Sequence, residues 1–192
     1  MKTIVNKDEY YQGKFLLATP NMTDIRFEKS VVFLCSHTDK GAMGIIVNKP
    51  VLDVSFKDIS AKLNVETKDD NISPSIYFGG PVEISRGFVL HTSDYNVPDV
   101  SITVVDDLSL TSSLDIVVDI AKGQGPRESL FALGYAGWAA GQLEHEMTLD
   151  SWLICNANNE IIFSVDSENK WKTALSTIGI KPSQLAGFTG SA

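Results

Sequence analysis

The chain is poor in the residues that build metal and redox sites. It has two cysteines, Cys35 and Cys155, and three histidines, His37, His91 and His145, in 192 residues. One cysteine pair is no disulfide framework. Both thiols lie in apolar runs, VVFLCSH and SWLICNA, where a reduced, buried state is expected. No C-x-x-C pair occurs, which excludes a zinc ribbon or thioredoxin-type site in its usual form. His145-Glu146 begins an H-E-x-x-H pattern, but Leu149 stands where the second histidine belongs. Neither a metal nor a cofactor is therefore expected. G-x-S-x-G and G-x-x-x-x-G-K-[ST] are also missing, so a serine nucleophile elbow and a phosphate-binding P-loop are excluded.

Long apolar runs and basic runs are lacking too. No stretch approaches the roughly 18 apolar residues of a membrane span. The opening MKTIVNKDEYYQGKF has no apolar signal core, so the cytoplasm is the expected location. No three Lys or Arg residues are consecutive, and the formal net charge is -8. An acidic chain repels phosphate backbones and anionic membranes, so direct nucleic-acid or membrane binding is not expected.

What is present is an ordinary globular composition, 43% hydrophobic and 21% charged, which argues for a packed core. Only a stretch such as Glu66 to Ser73 is polar enough to fray. With no repeat and no linker, residues 1–192 read as one domain. Lys14 to Ala18, Ser30 to Ser36 and Ala42 to Asn48 read as strands. The last two are joined as a hairpin across His37 to Gly41. Ser55 caps a helix through Leu63, with Phe56, Ile59 and Leu63 on one face and Asp58 in its first turn. Further strands are expected at Ser75 to Phe78, Gly87 to His91, Ser101 to Val105, Leu130 to Tyr135, Trp152 to Cys155 and Ile161 to Val165. Ser112 or Ser113 starts a helix ending before Gly123, with Leu114, Val117, Val118 and Ala121 inward. Others run from Gly137 to Met147 and from Ser167, carrying Trp171, Leu175 and Ile178, to Gly179. The tail from Lys181 is partly loose. This order gives an α+β domain with a mainly antiparallel or mixed sheet.

Several clusters invite a chemical reading beside a structural one. Cys35 and His37, two apart on a strand end, could face the same side, and a thiolate near an imidazole would be a nucleophile. The apolar run around Cys35 instead marks core. Gly134, Gly137 and Gly141 could open a helix N-terminus to an anion, or let the backbone pack around Tyr135 and Trp138. Arg86 could clamp an anion, or staple its loop through Glu83. Asp106-Asp107 and Glu144 with Glu146 read as solvated faces.

Four stretches carry a wider likeness: GKFLLATPNMTD with FEKSVVFLCSHTDKGAMGIIVNKP, YFGGPVEISRGFVLHTSDY, LGYAGWAAGQLEHEMTLDSWL, and the closing helix with Trp171 and Ala174-Leu175. They resemble the YqgE/AlgH family of bacterial proteins over nearly the whole chain. The resemblance implies an α+β fold with a barrel-like sheet flanked by helices. It also implies an association with transcriptional control, but no established catalytic residues. Mapped onto this chain, its motifs mark His37, Asn48, Gly79, Gly80, Arg86, His91, Gln142 and Glu144 as ligand-binding candidates, with Cys35 and Gly41 beside them. Members often end Gly-His-Ala, whereas this chain ends Gly190-Ser191-Ala192. The expected function is a non-catalytic binding or regulatory protein with a small-molecule or protein partner. The alternative is a small hydrolase or thiol-dependent enzyme using Cys35 with His37 or His91.

Overall fold

The apolar runs of the first fifty residues, rich in Val, Ile and Phe, form three adjacent strands in the computed structural model, which describes residues 10–67 and 74–185. They are β1 (Lys14–Ala18), β2 (Val31–Thr38) and β3 (Gly41–Ile46), with β2 and β3 joined as the expected hairpin. A short 3-10 turn at Ile25–Phe27 lies between β1 and β2. Helix α1 (Phe56–Lys62) starts at Ser55, whose hydroxyl accepts the Asp58 amide while the Asp58 carboxylate accepts the Ser55 amide. That reciprocal cap holds the Asp58 carboxyl below its ordinary pKa.

Strands β4 (Ile76–Phe78), β5 (Val82–Thr92), β6 (Ile102–Val105) and β7 (Leu108–Thr111) follow. Then come α2 (Leu114–Ala121), β8 (Ser129–Ala139), α3 (Gln142–Thr148) and β9 (Trp152–Asn156). A single π turn at Glu160–Ser164, α4 (Ser167–Thr177) and the short α5 (Pro182–Leu185) complete the described chain. The strand order is β6-β7-β5-β8-β3-β2-β1-β9, with β4 on β8 as well. The β4–β8 pairing is parallel and every other pairing is antiparallel.

The sheet curls into a half barrel. Val104 of β6 and Phe15 of β1, far apart in strand order, belong to one buried cluster. The Gln12 side chain donates to the Val104 carbonyl at 3.0 Å across the gap. Helix α4 fills the curl by adding Trp171, Ala174 and Leu175 to that cluster. On the outer face, Leu16, Val32, Ile46, Trp138 and Trp152 are covered by Leu143 of α3. Helices α1 and α2 cover Val89 and Phe131 through Phe56, Ile116 and Ile120. Each fully buried side chain of this size contributes about 1.5–3 kcal/mol.

Strands β4 and β5 lie on opposite edges of β8, yet only Gly79, Gly80 and Pro81 connect them. The chain must therefore cross β8 at close range. A Cβ on Gly80 would sit 2.1 Å from the Tyr135 carbonyl carbon, and one on Gly134 would sit 2.5 Å from the Gly80 oxygen. Gly134 also holds φ +72. The glycine pair is thus a backbone-on-backbone crossing.

Several expectations need correcting. The helix expected from Gly137 starts only at Gln142, because Ala136 to Ala139 still pair with Gly44 to Gly41 of β3. The strand expected at Ile161 to Val165 is the π turn, which places Ile161 and Ile162 in the inner cluster. Strand β7 is additional. Helix α2 is rotated from the expected face: Ile116, Val117, Ile120 and Ala121 are buried, and Leu114 is exposed. In α4, Lys170, Trp171, Ala174 and Leu175 are buried while Ile178 lies at the surface. Leu63 likewise is exposed, and Leu185 pins the start of the tail. Residues 68–73 of the polar stretch and the terminal Gly190-Ser191-Ala192 lie outside the described residues.

Candidate functional site

The best-defined cluster of candidate residues gathers where α3 meets the β2–β3 hairpin. His37 is 3% exposed. Its Nδ1 accepts the Tyr11 backbone N–H at 3.1 Å, and its Nε2 lies 2.8 Å from Glu144 Oε1. An Nδ1 that accepts carries no proton, so Nε2 holds it and donates to Glu144. The rings of Tyr10 and Tyr11 pack on the imidazole. Two residues along α3, Glu146 Oε2 accepts the indole N–H of both Trp138 and Trp152, at 2.9 and 2.8 Å. Gln142 Nε2 donates to Glu146 Oε1, while Gln142 Oε1 accepts the Ala139 amide. Short as it is, α3 fastens the end of β8, the hairpin and β9 with three side chains. Glu146 is no solvated residue, contrary to the expectation.

Cys35 does not share this cluster. A β-bulge between Leu34 and Ser36 inserts one residue opposite β3 and breaks the two-residue alternation. Cys35 follows Val31 and Phe33 into the inner cluster, while beyond the bulge His37 pairs with Ala42, a residue of the outer cluster. Burial pushes the Cys35 thiol up to about 12, and the Sγ contacts the Phe33 carbonyl at 3.6 Å. The Cys35–His37 nucleophile reading fails on both geometry and charge.

The other candidates are dispersed. Asn48 accepts the Val31 amide and donates to the Lys29 carbonyl, tying the end of β3 to the start of β2. His91 is fully buried and its Nδ1 faces the Thr92 carbonyl, so Nδ1 carries the proton. Its Nε2 accepts from Thr111, which accepts from Ser101, which accepts the Val97 amide. Burial lowers the His91 pKa, and the neutral ring pins the loop after β5. Gly79 and Gly80 are taken up by the crossing over β8.

Arg86 lies in a bulge. Between Val82↔Tyr135 and Gly87↔Leu133, residues 83–86 stand opposite Gly134. Arg86 Nη1 donates to Glu83 at 3.0 Å and Nε to Ser112 Oγ at 3.2 Å, and the guanidinium lies 5.1 Å over the Phe88 ring. The bulge and the β2–β3 hairpin flank an open groove of about 810 Å³. Met43, Val82, Phe88, Tyr135, Ile102 and Leu110 give it an apolar lining, and Ser36, Thr38 and Ser112 add hydroxyls. Lys40 and Arg86 bring positive charge, with Asp99 as the acidic lining residue. Of the mapped candidates, Arg86 and Gly41 line the groove. His37 and Glu144 brace its hairpin wall from the outer face, and Gln142 holds the end of β8.

Lys170, a residue no sequence motif marks, is 1% exposed. Its Nζ donates to the carbonyls of Val47 and Ile162, at 2.9 and 2.6 Å, and lies 4.9 Å over the Tyr77 ring. Burial lowers its pKa to about 8. Among the described residues no group of three His, Cys, Asp or Glu side chains is placed to hold a metal. Nor is any helix among them long and apolar enough to cross a membrane.

This curled half barrel with a helix in its hollow is a known arrangement. It superposes on the solution structure of AlgH from Pseudomonas aeruginosa with a TM-score of 0.78 and 35% identity, covering 100% of both chains. A crystal structure of a Corynebacterium diphtheriae protein shares the fold at a TM-score of 0.71 over 91% of each chain, with 20% identity. Residues 15–183 match the AlgH-like family model. A UPF0301 protein of Bradyrhizobium sp. is 45% identical over 190 residues, which cover 95% of this chain and 88% of that protein. One from Rhodopseudomonas palustris is 42% identical over 195 residues, 98% of this chain and 89% of its own length. The chain belongs to the AlgH-like (UPF0301) family, for which no biochemical function is established.

Proposed function

We propose that this chain is a non-catalytic binding protein of the cytoplasm, which acts through the groove on a small-molecule or protein partner. Any part it plays in transcriptional control is then indirect, since a net charge of -8 opposes contact with DNA. The groove is the observation that carries this reading. It is open, of ligand size, largely apolar in its lining and furnished with hydroxyls, Lys40, Arg86 and Asp99. The side chains best suited to catalysis are engaged elsewhere. His37 and His91 each spend both ring nitrogens on fixed partners, and Cys35 is buried with a raised pKa. The thiol-enzyme alternative is disfavoured on those grounds.

The test is thermal unfolding against a panel of nucleotides, phosphorylated metabolites, thiols, short peptides and DNA duplexes. A ligand at one hundred times its dissociation constant adds roughly 2.7 kcal/mol, which raises the Tm of a chain this size by roughly 5–10 °C. The reading expects such a shift for a small molecule or peptide, diminished by Ile102→Asp in the groove, and none for DNA. A flat response across the panel, or turnover of any member, contradicts it.

A further inference from the structure

We propose that the groove is a slot for an extended acidic peptide, which adds to β8 as a further strand. The inference rests on the binding reading above and names the partner class for the same site. Strand β3 pairs along one edge of β8 from Gly44↔Ala136 to Gly41↔Ala139. On the other edge β5 pairs only as far as Val82↔Tyr135. Before Val82 the chain has turned away at Gly80-Pro81 to make its crossing, so it does not continue the line of β5. Among the described residues, no strand pairs with that edge of β8 from Ala136 to Ala139.

This stretch lies in the groove. Gly137 and Trp138 line it, and Gly137 is exposed. A strand presents alternate N–H and C=O groups to each neighbour, so an unpaired edge is a template for an incoming main chain. Four residues at about 3.3 Å each give a slot of ~13 Å. One end is closed where Gln142 Oε1 already takes the Ala139 amide. The other is closed where Val82 resumes the pairing.

The walls add selectivity that a bare edge lacks. A peptide strand projects alternate side chains to opposite faces, and one set would fall on Met43, Tyr135 and Val82. Lys40 and Arg86 meet side chains at the margins. Arg86 is already held by Glu83 and Asp99 also lines the groove, so the acidic preference falls to Lys40 at the exposed hairpin tip, which favours a carboxylate at that end of the peptide. By contrast, the outer edge at β6 already gives its Val104 carbonyl to Gln12.

The experiment uses fluorescence anisotropy with the full chain and a labelled four-residue peptide, Asp-Val-Thr-Asp, which matches the length of the slot. Two twins are N-methylated on complementary alternate residues, and a third carries Lys for Asp. A strand bonds its neighbour through one alternate set of amides only. One methylated twin should therefore bind roughly tenfold weaker, the scale of two lost hydrogen bonds, while the other matches the parent. The Lys twin should bind weakly to the wild type, and Lys40→Glu, at the exposed hairpin tip, should narrow the gap between the Lys twin and the parent.

Methylated twins that change alike, in either direction, overturn strand addition while leaving the binding reading intact. A Lys twin equal to the parent overturns the acidic preference. A parent peptide that fails to bind while a small molecule shifts the Tm overturns the slot alone, and failure of every probe overturns both.

Discussion

His37 is gripped on both sides of its ring: Nδ1 takes the Tyr11 amide at 3.1 Å, and Nε2 gives its proton to Glu144 at 2.8 Å. A residue that reads from sequence as a catalytic base is thereby a fixed neutral strut. It ties the chain before β1 and the helix after β8 to the hairpin that walls the groove. Glu144→Ala removes the acceptor of a buried N–H. Because the Glu144 side chain is 42% exposed and water can take its place, the expected loss is about 1 kcal/mol. Glu144→Gln keeps an acceptor and should lose less. Urea denaturation of both variants checks the order.

Glu146 carries more. Its Oε2 serves two indoles, and Trp138 and Trp152 are 6% and 3% exposed. Glu146→Ala leaves two buried donors unpaired, so a loss of about 2–4 kcal/mol is expected. Changed native tryptophan fluorescence should accompany the lower urea midpoint.

Lys170 gives the stability a pH dependence. Its ordinary pKa of 10.5 falls to about 8 on burial. Below pH 8 both states are protonated and folding must bury a charge. Between about 8 and 10.5 the unfolded chain holds the proton and the folded one does not, so this group's contribution rises with pH. Relative to Lys170→Met, wild-type stability should gain on the order of 3 kcal/mol across that window. Parallel pH profiles of the two proteins would refute the assignment.

The two thiols should be silent in the native state. Cys35 and Cys155 are 4% and 5% exposed, and burial raises both pKa values. Ellman's reagent at neutral pH should react only as fast as the chain unfolds. Rapid native labelling of Cys35 would restore the thiol-enzyme reading.

The crossing over β8 separates two kinds of glycine. Gly80→Ala sets a methyl group against the Tyr135 backbone, which cannot step aside, so a loss of about 3 kcal/mol or more is expected. Gly141 has φ +76 but open space around it, so Gly141→Ala should cost about 1–2 kcal/mol of backbone strain alone. Thermal unfolding of the two variants measures the difference.

Much of the fold was legible in the sequence because most of its strands contain an apolar run bounded by turn residues. Lys14 to Ala18 needed nothing more, and the hairpin was legible too, although His37, Thr38 and Gly41 belong to the paired strands and its turn is only Asp39-Lys40. The misreadings arose where distant pairing decides. Gly137 to Ala139 lie just before a helix and read locally as its start, yet β3 keeps them extended. Ile161 to Val165 have strand composition, yet packing into the curl makes a π turn. At the site, the Cys35–His37 pairing was undone by a bulge that no spacing rule reveals. Lys170 was invisible because SENKWKT reads as a solvated face. Glu146 was discounted because nothing local shows that two tryptophans converge on it.

The central claim is that the groove beside β8 is where this protein binds its partner. The most direct measurement is an amide chemical-shift map recorded while the tightest binder from the thermal panel is titrated in. The account predicts shifts concentrated at Gly41, Met43, Ile102, Tyr135 and Gly137. Shifts centred elsewhere, with the groove amides unmoved at saturation, would contradict it.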